Sequence, residues 1–357
     1  MNHFVKLLEK TQLGRMELKN RIVMAPLTRS RAPGSLPNDL MAEYYSQRSG
    51  AGLIITEGTS PSPNGLGYAR IPGLFNHAQV EGWKKVTQAV HQKQSHIFVQ
   101  LMHTGRVSHS ANLPQGAEII APSALAVSGQ MWTDTKGMQN YPTPREMTRA
   151  DIRAAIQEYA ASAALSIQAG FDGVELHGAN GYLIEQFLNP AANRRNDEYG
   201  GSPEGRMRFA LEVAQAVTKQ IGGDRTGIRL SPYGAFNDTG AFEGVDSFYG
   251  ELAKKLSAIG LVYIHVVDHS SMGAPTVSPE VTKLIRENFK GAQILSGGYD
   301  AERAERDLKE GRGELVAFGR SFISNPDLIE KFRTGAALRP ADSSTFYTPG
   351  AQGYTDY

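Results

Sequence analysis

Short apolar runs and longer amphipathic stretches alternate eight times between Ile22 and Arg333. That alternation limits the fold of this 357-residue chain more than any other feature. The runs cover residues 22–28, 53–59, 96–103, 173–178, 226–232, 262–268, 293–297 and 315–320. They are β-branched or apolar at almost every position, the pattern of strands buried on both faces of a parallel sheet. Helical periodicity covers 39–49, 80–92, 149–169, 203–221, 245–259, 279–289, 301–309 and 326–333. Thr148 before Arg149-Ala150-Asp151, and Ser278-Pro279-Glu280, supply N-terminal cap chemistry. Eight strand–helix units in succession predict an α/β fold, a (β/α)8 TIM barrel, more than an open sheet. Such barrels commonly exceed ~250 residues as one unit, so a single domain over 1–357 is expected.

Two pieces fall outside the repeat. Residues 11–19, with Leu13-Gly14-Arg15-Met16, suit a hairpin that closes the bottom of the barrel. Residues 104–148, rich in Pro, Gly, Ser and Thr, form a long insertion after the third strand, and such insertions usually cap an active site. The tail from Leu338 has no helical period, yet Phe346, Tyr347 and Tyr354 make it too aromatic for a free disordered end.

Composition removes several classes of function. With 37 basic against 36 acidic residues, nothing suggests a nucleic-acid or anionic-membrane partner. The absence of cysteine excludes disulfides, thiolate zinc sites, iron–sulfur clusters and a cysteine nucleophile. No apolar run approaches the ~20 residues of a membrane span, and Met1 to Leu18 lacks the apolar core of a signal peptide, so a cytoplasmic protein is expected.

In a barrel of this kind chemistry sits at the C-terminal ends of the strands. The fourth run ends Val174-Glu175-Leu176-His177-Gly178-Ala179-Asn180-Gly181-Tyr182. Two hydrogen-bond donors and a phenol can converge there on one carbonyl oxygen and deliver a proton beside it. The first strand ends Ala25-Pro26-Leu27-Thr28, the second Glu57-Gly58-Thr59, the third Gln100-Leu101-Met102-His103, and the fifth carries Arg229. Strands seven and eight end in Gly297-Gly298 and Gly319-Arg320. Loops after these two strands commonly bind phosphate, with glycines admitting backbone amides and an arginine adding charge. A phosphorylated planar cofactor accounts for the rest. A flavin ring would meet an amide from Gln100, a hydroxyl from Thr28, close backbone at Gly58, and a cation from Arg229.

The chain resembles the old yellow enzyme family of FMN-dependent ene-reductases over essentially its whole length, with the bacterial maleimide- and nitro-ester-reducing members nearest in look. The carriers are Arg21-Ile22-Val23-Met24-Ala25-Pro26-Leu27-Thr28, Gln100-Leu101-Met102-His103-Thr104-Gly105-Arg106, and Glu175 through Leu183. Gln186-Phe187-Leu188, Asn193-Arg194-Arg195-Asn196-Asp197-Glu198-Tyr199-Gly200-Gly201-Ser202, Phe318-Gly319-Arg320 and Gly353-Tyr354-Thr355-Asp356-Tyr357 add to them. The resemblance implies tightly bound, non-covalent FMN, with Pro26, Thr28, Gly58, Gln100, Arg229, Gly297, Gly298, Gly319 and Arg320 around it, and Met102 and Tyr347 in the substrate pocket. It implies NADPH as reductant and enones, maleimides or nitro compounds as substrates. His177 and Asn180 would hold the carbonyl oxygen while flavin N5 gives hydride to the β-carbon and Tyr182 protonates the α-carbon. A monomer or weak homodimer without a metal is expected. Three positions depart from those bacterial members: Asn180 for a His, Met102 for a Trp, and Gly58 for an Ala. Met102 in place of Trp should widen or soften the pocket wall.

Taken without the resemblance, His177 suits a structural role, Tyr182 an anchor for the following helix, and Gln100 and Thr28 satisfied core polar groups. Arg229 suits an ion pair with Glu175. Other barrel chemistries fit poorly. The first strand lacks His-x-His for a metal-dependent amidohydrolase, and His265 and His269 have no carboxylate partner set beyond Asp268. Strand six lacks a Schiff-base lysine. A non-catalytic binding barrel leaves the strand-four donors unexplained. The alternative within flavin chemistry is a nitro-ester or nitroaromatic reductase that uses the same site without the Tyr182 proton.

Overall fold

The computed structural model describes residues 4–357. Eight parallel strands close into a barrel in chain order: β1 Ile22–Met24, β2 Leu53–Thr59, β3 His96–Leu101, β4 Gly173–Gly178, β5 Thr226–Leu230, β6 Tyr263–Val267, β7 Ala292–Ser296 and β8 Leu315–Phe318. The pairing of β8 with β1 completes the ring. All eight expected strands are present, with some ends shorter than the apolar runs. β1 stops at Met24 because Pro26 has no N–H to continue the ladder, and residues 25–28 leave it without regular secondary structure. The outer ring is α1 Asp39–Gln47, α2 His77–His91, α3 Arg149–Gln168, α4 Pro203–Ile221, α5 Val245–Ile259, α6 Pro279–Asn288, α7 Ala301–Lys309 and α8 Leu328–Thr334. Thr148 and Asp151 form a reciprocal capping box on α3, and Ser278 caps α6. α2 begins earlier than its apolar period suggests, because the Asn76 side chain accepts the Gln79 N–H. Short helices Leu183–Leu188 and Arg320–Ser324 occupy the loops after β4 and β8; the sequence pattern did not indicate them.

The core has two parts. One lies between barrel and helices, and is built from residues such as Ile54, Val99, Leu176, Trp83 and Phe209. The other fills the lower barrel with Val23, Leu53, Ile55, Phe98, Tyr263 and Ile294. The hairpin Thr11–Leu13 with Met16–Leu18 presses Leu13, Met16 and Leu18 into that second cluster, so it does plug the bottom. Chemistry is therefore confined to the opposite mouth.

The insertion folds over that mouth. Ile120–Ala121 pairs with Arg145–Glu146 at its base, and Gln130–Thr133 pairs antiparallel with Gly137–Asn140 at its tip. The run from Asn193 to Ser202 holds it in place rather than serving the site directly. Arg195 Nη1 donates to the Pro122 and Met147 carbonyls at 3.0 and 2.6 Å, and Nη2 to Asp197 at 2.6 Å. The aromatic tail is ordered, as expected. Arg29 donates to the Phe346 and Gly353 carbonyls, Arg31 to those of Thr345, Phe346 and Gln352, and Tyr354 stacks on Tyr44 with centroids 4.0 Å apart. These ties bring Phe346 and Tyr347 to the barrel mouth. Among the described residues no helix is long and apolar enough to cross a membrane.

Candidate active site

Parallel register sets the site's levels. Gly58 pairs with Gln100 and Gln100 with Glu175; His177 pairs with Arg229 and Arg229 with His265. A register shift in β2 between Ile55 and Gly58 changes which side chains of that strand meet β3. Above these levels lies a trough of three connected cavities. The central one, of about 390 Å³, is lined by Pro26, Thr28, Gly58, Gln100, Met102, His177, Asn180, Tyr182, Arg229 and Tyr347, among others. One end opens into a cavity of about 360 Å³ bounded by Gly297, Gly298, Gly319 and Arg320. The other opens into a vestibule of about 900 Å³ under the insertion tip, where Tyr68, Arg70, Trp132, Met138, Tyr141 and Tyr347 face each other. Every site residue expected from the sequence lines this trough.

The β4 turn is built so that three side chains face the central cavity. Asn180 has φ 62° and Gly181 φ 75°, a left-handed pair that reverses the chain after the strand. A Cβ on Gly181 would lie 2.6 Å from the Phe236 carbonyl oxygen, so glycine is required there on both counts. Glu185 braces the turn from below. Its carboxylate accepts the Gly181 N–H at 2.6 Å and the Ser231 hydroxyl at 2.9 Å, and Ser231 Oγ accepts the Asn180 N–H at 3.0 Å. Burial pushes the Glu185 carboxyl up to about 7. Nothing in the sequence marked Glu185, since the short helix that carries it was not indicated either.

Protonation states follow from burial. His177 Nδ1 accepts the Ala179 N–H at 3.3 Å, which assigns the proton to Nε2. Burial, then Arg229, His265 on β6 and His269 just beyond it, hold His177 well below the ordinary histidine range, so it is a neutral N–H donor. The Tyr182 ring stands edge-on to His177, centroids 4.9 Å apart. Burial pushes its hydroxyl up to about 12, so the proton stays on at neutral pH. Its hydroxyl oxygen lies 3.1 Å from that of Tyr68. Tyr68, in the glycine-rich loop after β2, escaped the sequence reading, as did Phe236 of the central cavity wall; His269, weighed in the sequence only as a metal ligand, also lines that wall.

The structure decides the alternative for Arg229. Glu175 is fully buried and already engaged: Gln100 Nε2 donates to Oε1 at 2.8 Å and His265 Nδ1 lies 2.8 Å from Oε2. Glu175 thus also supplies the carboxylate partner for His265 that the sequence did not reveal. Arg229 makes no ion pair with Glu175, and among the described residues its buried Nε has no partner. Its head borders both the central cavity and the one bounded by Gly297, Gly298, Gly319 and Arg320. An orphaned buried guanidinium is costly unless a ligand completes it. An anionic or electron-rich planar group along the trough would do so, with Gln100 held by Glu175 to present the rest of its amide. The residues present therefore fit FMN.

Gly58 and Met102 pack against each other. The space beside Gly58 is taken by the Met102 side chain, whose Sδ would overlap a Cβ at position 58 and whose Cε would lie 2.6 Å from it. Met102 is 1% exposed and packs with Leu66, Ile71, Val107 and Tyr182, so it is a closely packed part of this wall.

Comparison with known proteins bears on the family and the fold. The NADH:flavin oxidoreductase / NADH oxidase family matches residues 6–339. A probable flavin mononucleotide-dependent alkene reductase of Leishmania infantum is 38% identical over 356 residues, covering 98% of this chain and 96% of that protein. The structure of morphinone reductase in complex with tetrahydroNAD superposes with a TM-score of 0.93 at 44% identity, over 98% of this chain and 96% of the other. An old yellow enzyme homologue from Zymomonas mobilis gives a TM-score of 0.95 at 39% identity, over 99% of each chain.

Proposed function

The chain belongs to the NADH:flavin oxidoreductase / NADH oxidase family and is a flavin ene-reductase of the old yellow enzyme type; from that premise we propose that it uses NADPH to reduce the activated C=C bond of α,β-unsaturated carbonyl compounds, with His177, Asn180 and Tyr182 as its catalytic residues. The observation that carries this reading is the meeting of a neutral imidazole N–H, an uncommitted amide and a protonated phenol on one cavity wall beside the orphaned Arg229.

Pro26, Thr28, Gly58, Gln100 and Arg229 would hold the ring of FMN, and Gly297, Gly298, Gly319 and Arg320 its phosphate. Bound there, FMN supplies the hydride that adds to the β-carbon. The protein's own part is polar. His177 Nε2–H and the Asn180 amide aim at the carbonyl oxygen, where negative charge grows as the β-carbon is reduced. Such donors are typically worth ~10²–10³ in rate each. His177 serves because it is neutral and keeps its N–H at every working pH. Among the described residues Asn180 Oδ1 has no partner, so turning its amide toward a substrate oxygen breaks no bond seen there. Tyr182 O–H gives its proton to the α-carbon. Met102 and Tyr347 bound the substrate pocket, and the exposed Trp132, Met138 and Tyr347 give the vestibule an apolar rim. NADPH as the reductant is supported by the tetrahydroNAD in the related morphinone reductase, which concerns the nicotinamide and not the extra phosphate.

The test is the visible spectrum of the FMN-loaded protein during anaerobic addition of NADPH, then of cyclohexenone. Flavin bands that bleach and then return are expected. A protein that takes up no FMN refutes the reading. Bleaching without recovery refutes the enone assignment and favours nitro esters or nitroaromatics.

A further inference from the structure

Two phenols meet at the boundary between the central cavity and the vestibule, and the reaction as described uses one of them. Tyr182 and Tyr68 both line both cavities. Their hydroxyl oxygens are 3.1 Å apart, their rings perpendicular at 89° with centroids 6.2 Å apart, and among the described residues neither hydroxyl has another protein partner. Tyr68 is not there by accident of a loose loop. Asn112 Nδ2 donates to the Gly67 carbonyl at 3.0 Å and Ser108 Oγ to that of Leu66 at 3.2 Å, so the start of the insertion fixes the loop that carries it.

A phenol has one proton. If Tyr182 donated to Tyr68, that proton would be committed away from the substrate. We propose that Tyr68 is a positioning residue for proton delivery: its hydroxyl donates to the Tyr182 oxygen, leaves the Tyr182 O–H free to face the substrate, and holds the phenolate that forms. This rests on the reading of the site given above. In the step, the Tyr182 O–H bond breaks and a C–H bond forms at the α-carbon from the electron pair of the substrate enolate. The negative charge moves to the Tyr182 oxygen, and water in the vestibule returns a proton to it. The bond from Tyr68 changes from neutral to charge-assisted as the proton leaves, which roughly doubles its strength. It therefore grips the product side of the transfer harder than the ground state, the condition for accelerating a step. Burial resists a phenolate at Tyr182, and the Tyr68 hydroxyl acts against that resistance.

Tyr68→Phe keeps the ring and removes only the hydroxyl. In the FMN-loaded protein, reoxidation by cyclohexenone should slow by ~10–100-fold, the range for a hydrogen bond to a charged group. Its solvent deuterium isotope effect should grow, and reduction by NADPH should change less than ~2-fold. In a Tyr182→Phe background the same substitution should have no further effect on reoxidation. An unchanged reoxidation rate in the single variant, or the same fold loss without Tyr182, overturns the inference. A wild-type protein that NADPH reduces but no enone reoxidises overturns the reading of the site, and this inference with it.

Discussion

Gly58→Ala tests whether two sequence departures are one packing unit. The new methyl would overlap Met102 Sδ, and would lie 2.6 Å from Cε and 3.1 Å from Cβ. Sδ and Cε can swing away by rotation within the side chain, whereas Cβ moves only with the backbone of residue 102. The φ of Gly58 is not in the left-handed region, so no backbone strain adds to the contact. Overpacking of this kind costs ~1–3 kcal/mol. Replacing a strand glycine by alanine returns ~0.5–1 kcal/mol of chain entropy. The net loss should be ~0–2.5 kcal/mol, and the displaced Met102 end should enter the central cavity and raise KM for bulky enones more than for cyclohexenone. Met102→Ala alone empties a buried site and should cost ~2–5 kcal/mol. Together the two changes should cost less than their sum by at least ~1 kcal/mol, since the methyl introduced at position 58 then takes space that the Met102 side chain vacates. The assay is urea unfolding of the four proteins at one saturating FMN concentration. Additivity within ~0.5 kcal/mol would show that the two positions do not share space.

Three other expectations follow from the site. Tyr182→Phe should slow reoxidation by an enone far more than reduction by NADPH; stopped-flow rates that fall equally in both halves would remove its role as proton donor. His177→Ala should weaken binding of phenolic ligands that mimic the enolate by at least ~10-fold in a spectral titration, and unchanged affinity would put the oxygen-binding donors elsewhere. Glu185 has a folded pKa raised by burial from 4.5 to about 7, so the stability it lends is full below pH ~4.5 and declines as pH rises through 7, by ~3 kcal/mol at ~1.4 per unit. Glu57, buried against Tyr45 and likewise raised to about 7, contributes a decline of the same sign. Glu185→Gln should therefore flatten, without abolishing, the loss of urea midpoint between pH 5 and pH 8; an identical slope would contradict the buried-carboxylate assignment.

The sequence alone determined the barrel, because eight doubly buried strands must be apolar throughout and their helices must keep a period of 3.6. It determined the face that carries chemistry as well, since in a parallel barrel all C-terminal strand ends lie at one mouth. His177, Asn180, Tyr182, Arg229 and Gln100 were legible for that reason: each stands at a fixed offset from the end of its own strand. What the tertiary structure decided are relations between segments far apart in the chain, which leave no local period or cap to read. Whether Arg229 pairs with Glu175 depended on strand register, which gives that carboxylate to Gln100 and His265. The partnership of Tyr68 with Tyr182, the packing of Met102 into the space beside Gly58, and the bracing of the Asn180 turn by Glu185 and Ser231 depend on how loops from different strands cross. Even the run from Asn193 to Ser202, conspicuous as sequence, became a clamp on the insertion only once Pro122 and Met147 were brought beside Arg195. Burial and periodicity act along the chain and are written in it; contacts across a barrel mouth exist only after the ring has closed.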